Sequence, residues 1–430
     1  MKQTKLTKKW WLIPIFLLVV VATYIYIDGR KTDVSGKVIV CIPVYGQSLA
    51  LGEEAERVTD FSEFAAKNNG RVVTENIDDK FGFFDPSPLK QYFKRLVRYR
   101  KRSFELSIYA MASSLAQQLG ADTVICTFPG GQGATALSHL GKGSAPYDRF
   151  IADIAKAHRL AMDGGAKLFV VPAICWMQGE SDIADYPDTH YKLLLKAFAH
   201  DIGQDIQAIT RQATPVRLIC YQANALSRGE HFNADSYDCP ETEVPQSFVE
   251  LLSTDTLFWA SGPTYPYAVV REAVHIDGAG QQHIGNLAAK SAIGILHHEE
   301  RFTGLLPDNV TYSDSDVTIH FRTPCPPLVF DTLQVAKAKH YGFSIVDKEG
   351  HDISQAITLD SCSVTIKCSS PPAGCRVRYA VNGDRMKSGN LHGPRGNLRD
   401  SQGNVIKGKV AEVLSPLHNW CYQFDIVLSE

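Results

Sequence analysis

The 430-residue chain has almost no net charge, no long repeat and no low-complexity segment, and it nowhere contains G-x-S-x-G. A formal charge of −2 gives no electrostatic reason to expect nucleic acid or a strongly acidic partner. Without G-x-S-x-G, the nucleophile elbow of the usual α/β-hydrolases is excluded. Cys362, Cys368 and Cys375 match no standard zinc spacing, and "HHEE" at residues 297–300 lacks the spacing of a metalloprotease helix. No metal site is therefore expected.

Charge is missing altogether from residues 10–27, which follow four lysines in "MKQTKLTKKWW". Eighteen uncharged residues are near the minimum for crossing a bilayer, and the lysines should stay on the cytoplasmic side. Aromatic residues at both ends suit interfacial anchors. A cleaved signal peptide is the rival. Residues 1–30 are thus expected to be a basic tail and membrane anchor, with the remaining chain outside the cytoplasm. Ten cysteines permit disulfides there. Cys41, Cys126, Cys175 and Cys220 lie in apolar runs and read as buried thiols, whereas Cys362, Cys368 and Cys375, in a turn-rich region, are disulfide candidates.

Residues 31–300 alternate short apolar runs with amphipathic segments. "KVIVCIPV", "DTVICTF", "KLFVVPAICW", "VRLICYQA" and "TLFWAS" read as strands covered on both faces. Between them lie helical patterns such as "YDRFIADIAKAHRLAMDGG" and "AGQQHIGNLAAKSAIGILHH". The expected fold is α/β with a mainly parallel sheet. A basic stretch before Tyr99 reads as a solvated face or active-site rim. From residue 301 to 430 the helical period disappears, and "DVTIHF", "GFSIVDK", "SVTIKC", "RVRYAV" and "YQFDIVL" predict a small C-terminal β domain.

Ligands collect beyond the carboxyl ends of parallel strands. Three loops fall there: "YGQS", "FPGGQGAT" and "WMQGESD", with "REAVHIDGAGQQHIG" just before the last helix. Ester hydrolysis needs an oxygen nucleophile, a base and oxyanion donors. Ser48, in a turn shaped by Gly46 and Gln47, supplies the first, and His275 the second, with Glu272 three residues earlier to orient the ring. The backbone N–H groups of Ser48 and Gly133 and the side-chain amide of Gln178 are the candidate oxyanion donors. Glu180 and Asp182 read as hydrogen-bonding supports of their loop, and Trp176 as core. His283 is the rival base, and Asp277 the substitute acid.

The order "GQS", glycine-rich turn, "QGESD", then acid-x-x-His resembles the SGNH hydrolase superfamily. Within it the pattern is similar to the carbohydrate acetylesterases, which include sialate O-acetylesterases and acetylxylan esterases. The resemblance covers roughly residues 37–298. It implies a three-layer α/β/α fold, deacetylation of sugar hydroxyls, and no metal or organic cofactor. Two positions depart from the pattern: Glu272 stands where the family usually has Asp, and Leu49 where asparagine often follows "GQS". The expected activity is a serine esterase acting on an O-acetylated carbohydrate through an acetyl-enzyme. The alternatives are an O-acetyltransferase using the same residues and a non-catalytic glycan-binding protein.

Overall fold

A computed structural model describes residues 33–68, 70–75, 81–83, 104–184, 190–224, 236–239 and 242–430. The expected N-terminal anchor and most of the basic stretch before Tyr99 lie outside the described residues. Among the described residues, no helix is long and apolar enough to cross a membrane.

The chain runs β1 (Val38–Cys41), β2 (Val44–Gly46), α1 (Phe61–Asn68), β3 (Val72–Glu75), β4 (Phe81–Phe83), α2 (Ser107–Gln118), β5 (Thr123–Cys126) and β6 (Pro129–Gly131). It continues through α3 (Ala145–Asp163), β7 (Leu168–Val170), β8 (Ala173–Met177), α4 (Glu180–Ala184), α5 (Tyr191–Thr210), β9 (Arg217–Gln222), α6 (Glu243–Thr254), β10 (Phe258–Pro263) and α7 (Gly278–His297). Three of the apolar runs are each split into two strands at or beside a proline: Pro43, Pro129 and Pro172. Proline cannot donate to a ladder, so the pairing breaks there and resumes.

The result is two sheets, ordered β4-β3-β5-β1-β7 and β10-β9-β8-β2-β6, which share the same three chain tracks. All pairs are parallel except β3 with β4. In the second sheet β2 lies between β8 and the edge strand β6, and it ends with Gly46 opposite both Gly131 of β6 and Met177 of β8. That register delivers the three loops after these strands to one edge, which is the placement the chemistry requires.

Helix α2 packs on α7, while α3 packs on α5 and α5 on α6. Gly285 permits the first contact, because a Cβ there would stand 2.0 Å from the Ser107 carbonyl oxygen. On the α3/α5 side, Tyr45, Phe150, Trp176 and Phe198 form one buried aromatic cluster. Trp176 is core, with its indole N–H donating to the Tyr191 hydroxyl at 3.1 Å.

The C-terminal region is antiparallel. Leu306–Tyr312, Asp316–Arg322, Ser363–Cys368 and Ser354–Leu359 form a four-stranded sheet, and Phe343–Val346, Arg376–Tyr379 and Phe424–Val427 a three-stranded one. Cys362, Cys368 and Cys375 are thiols, so the disulfide expected among them is not formed. Cys368 ends a strand of the first sheet, and Cys375 immediately precedes a strand of the second. Cys41, Cys126, Cys175 and Cys220 are buried thiols, as the apolar runs predicted.

Candidate active site

Ser48 lies two residues beyond β2, at the first bend of a helix-like turn. Ala50 N–H donates to the Gln47 carbonyl, Leu51 N–H and Glu53 N–H to the Ser48 carbonyl, and Gly52 N–H to the Leu49 carbonyl. Close packing fixes where this turn starts. A Cβ on Gly46 would fall 2.0 Å from the Met177 carbonyl oxygen, so only glycine lets β2 reach β8 at that point. Gln47 ties the turn to the neighbouring loop, donating its N–H to the Met177 carbonyl at 3.0 Å and accepting from Ser181 N–H at 3.2 Å. Leu49 is core rather than pocket, and its carbonyl accepts from the buried Gln281 amide of α7 at 2.9 Å.

His275 approaches from a short hairpin. Val269 bridges Ile276, Val270 N–H donates to the His275 carbonyl at 2.7 Å, and Asp277 N–H to the Ala268 carbonyl at 2.9 Å. Its Nε2 lies 2.8 Å from Ser48 Oγ, within direct proton-transfer reach. Ser48 is 4% exposed, so the hydroxyl is largely shielded from water while still facing the imidazole.

Glu272 does not orient this ring. Arg271 and Glu272 both adopt left-handed backbone, with φ of 55° and 52°, and the Glu272 carboxylate is taken by His392 and Lys387. His275 Nδ1 instead meets Glu54 Oε2 at 2.9 Å. Two left-handed residues bring Glu54 there: Gly52 at φ 63° and Glu54 itself at φ 62°. Gly52 is required twice over, because a Cβ would also strike the Glu105 carbonyl oxygen at 2.0 Å. The other Glu54 oxygen pairs with the Arg271 guanidinium. The hydrogen bond from His275 and the adjacent Arg271 hold the Glu54 carboxyl below its ordinary range despite partial burial. The arrangement is a serine–histidine–glutamate chain, with the acid on the serine's own turn.

The oxyanion donors are also revised. Gln178 is buried, and its amide N–H groups are directed to the Asp182 carboxylate and the Thr135 carbonyl, while its oxygen accepts from Tyr191. Asp182, one helical turn later on α4, draws the amide into the loop scaffold instead of leaving it free as a donor. Gly133 does face Ser48: a Cβ built on it would lie 3.6 Å from Ser48 Cβ. Neither Ser48 N–H nor Gly133 N–H has an acceptor among the described residues. Two open backbone donors beside a serine hydroxyl are what an oxyanion requires. Glu53 reaches the same rim, with Oε2 3.2 Å from that built Cβ.

Asp182 and Glu180 are both buried and hydrogen-bonded. Asp182 accepts from Leu137 N–H at 2.9 Å, and Glu180 from the Tyr221 hydroxyl at 2.7 and 2.6 Å. Burial pushes the Glu180 carboxyl from its ordinary 4.5 up to about 7. Between those values the folded chain holds a proton that the unfolded chain releases, so Glu180 makes stability fall as pH rises from 4.5 through 7. At 1.36 kcal/mol per unit the cost above pH 7 approaches about 3 kcal/mol. Urea denaturation of Glu180→Gln at pH 5 and pH 8 should show a smaller loss of stability on raising the pH than the parent. An equal loss in both would refute this reading.

The rivals drop out on position. His283 stacks on Tyr267, with ring centroids 5.0 Å apart, and burial lowers it to about 4, so it is a neutral core imidazole. Asp277 caps α7 by accepting from Gly280 N–H at 2.7 Å. No group of three or more His, Cys, Asp or Glu side chains suited to a metal ion occurs among the described residues.

Residues 101–293 match the family model described as carbohydrate esterase, sialic acid-specific acetylesterase. The match includes Gly133, Gln178 and His275 but begins after the Ser48 turn, so Ser48 and Glu54 lie outside it. Among solved structures, a carbohydrate acetylesterase from Xanthomonas citri superposes with a TM-score of 0.57 at 14% identity, covering 91% of this chain and 80% of that one. That likeness shows a shared fold extending into the C-terminal β region. A protein from Arabidopsis thaliana gives a TM-score of 0.45 at 15% identity over 60% of this chain and 98% of its own. No curated protein matches the sequence at a significant level. Over residues 101–293 the chain is thus similar to carbohydrate esterases of the sialic acid-specific acetylesterase family, and it shares its fold with a carbohydrate acetylesterase.

Proposed function

We propose that the enzyme removes O-acetyl groups from a carbohydrate through an acetyl-enzyme on Ser48. The observation that carries this reading is the unbroken chain from Ser48 Oγ to His275 Nε2 at 2.8 Å and from His275 Nδ1 to Glu54 at 2.9 Å. His275 Nε2 takes the Ser48 proton as Oγ bonds to the acetyl carbon. The N–H groups of Ser48 and Gly133 receive the negative charge that develops on the carbonyl oxygen. The bond from the acetyl carbon to the sugar oxygen then breaks, and His275 returns the proton to that oxygen, freeing the sugar hydroxyl. Water, deprotonated by His275, attacks the acetyl-enzyme; acetate departs and Ser48 regains its proton. Glu54 holds the imidazole with Nε2 toward Ser48 and stabilises the imidazolium formed in each half-reaction.

Acetate release should be measured from O-acetylated sialic acid, acetylated xylan and acetylated capsular polysaccharide, with a simple aryl acetate alongside. At least one carbohydrate should be turned over with kcat/KM above that of the aryl acetate. Turnover of the aryl acetate alone would remove the carbohydrate from this reading, and turnover of neither would end it.

A further inference from the structure

The hairpin bearing His275 is fastened at its tip by the C-terminal β region, through a carboxylate that the triad does not use. Residues 382–396 connect the strand Arg376–Tyr379 to the short strand Leu398–Arg399. They double back on themselves, with Asp384 N–H donating to the His392 carbonyl at 2.8 Å and Lys387 N–H to the Asp384 carbonyl at 3.0 Å. This loop meets the hairpin at several points. Ser388 N–H donates to the Glu272 carbonyl at 2.8 Å. Lys387 Nζ lies 3.1 Å from the Glu272 carboxylate, and His392 Nδ1 bonds to its other oxygen. Gly389, at φ 88°, lies so close that a Cβ would approach Val269 to 2.8 Å and the Tyr267 carbonyl oxygen to 3.1 Å.

The tip itself is unfavourable on its own. Arg271 and Glu272 are consecutive non-glycine residues in left-handed backbone, a conformation that persists only where surroundings impose it. Their side chains run to opposite sides: Arg271 to Glu54 beneath the imidazole, and Glu272 to the C-terminal loop. A single exposed ion pair fixes little. Here the Glu272 carboxylate takes both Lys387 and His392 while the Glu272 carbonyl takes a backbone N–H, so three bonds between two segments share one geometry. His275 follows three residues later, and its Nε2 must stay within hydrogen-bond reach of Ser48.

We propose that Glu272 is a positioning residue for the reaction: by binding Lys387 and His392 it locks the His275 hairpin against the C-terminal β region, so that this region completes the active site. The proposal rests on His275 being the base for Ser48. Misplacing a catalytic group by about 1 Å costs roughly a hundredfold, and loss of one clamp on a hairpin otherwise intact should cost roughly ten- to hundredfold.

The test uses the full chain with a small aryl acetate, whose ester reports on the Ser48–His275 pair. Glu272→Ala should lower kcat by that factor, slow fluorophosphonate labelling of Ser48 in parallel, and leave KM within about twofold. The Lys387→Ala/His392→Ala double variant, altered only at partly exposed side chains, should reproduce the loss. Adding Glu272→Ala to it should cost little more, because the clamp is already gone. Parental kcat and labelling rate in the double variant would overturn the proposal, even if Glu272→Ala fails to fold, and so would a fall confined to KM. Ser48→Ala separates the two levels: if it retains activity the underlying reading fails, and if it is inactive while the clamp variants match the parent, only the clamp fails.

Discussion

Replacing Ser48 with alanine is expected to lower kcat on an aryl acetate by about five to six orders of magnitude, the range seen when the nucleophile of a serine triad is removed. The change deletes one oxygen from a side chain that is 4% exposed and whose hydroxyl is bonded to His275. The turn itself is held by backbone bonds and by the close contact of Gly46 with Met177, none of which involves Oγ. Thermal unfolding should therefore stay close to that of the parent while turnover disappears. Substantial remaining turnover, with the fold intact, would mean that another group attacks the ester.

The second large effect belongs to Glu54 and sets it apart from Glu272. Glu54→Gln removes the charge facing His275 Nδ1 and lets either tautomer form, and loss of the triad carboxylate costs roughly 10⁴-fold in kcat. Glu272→Gln should cost far less, within the range expected for the clamp, since its carboxylate meets Lys387 and His392 and not the catalytic imidazole. The two glutamates thus predict an ordering as well as a size. Parallel steady-state kinetics of both variants check it, and a larger loss at Glu272 than at Glu54 would restore the acid-x-x-His assignment. The pH response follows the same placement. Glu54 is held ionised below its ordinary range by His275, so its contribution to stability is present above the unfolded carboxylate value and lost as pH falls through the lowered one.

Much of the layout was legible in the sequence, because unbroken apolar runs separated by helical periods admit few arrangements besides a covered parallel sheet. The serine after β2, the glycine after β6 and the histidine before α7 were singled out by their joint order along the chain, and the structure brings them together. What the sequence hid were contacts set by unusual backbone. Glu54 meets His275 across 221 residues of chain because Gly52 and Glu54 adopt left-handed conformations. The signal was present as a glycine followed by two glutamates after the nucleophile turn, but nothing in the residue types distinguishes it from an acidic surface turn. Glu272 misled for the converse reason. Three residues of spacing brings an acid to a histidine only along a suitable turn, and here the hairpin tip is left-handed and points away. Gln178 sits at the correct strand end, yet Asp182 captures its amide, a pairing visible only once α4 is placed. The disulfide expectation failed: Cys362, in the turn before the strand that Cys368 ends, Cys368 itself and Cys375, just before Arg376–Tyr379, are all thiols.

The claim on which all of this depends is that Ser48, activated by His275, is the nucleophile. Treating the full chain with a fluorophosphonate and mapping the adduct by peptide mass spectrometry tests it without knowledge of the sugar. One adduct is expected, on the peptide containing Ser48, absent from Ser48→Ala and formed far more slowly in His275→Ala. An adduct on any other residue, or none in a folded parent protein, would contradict the assignment.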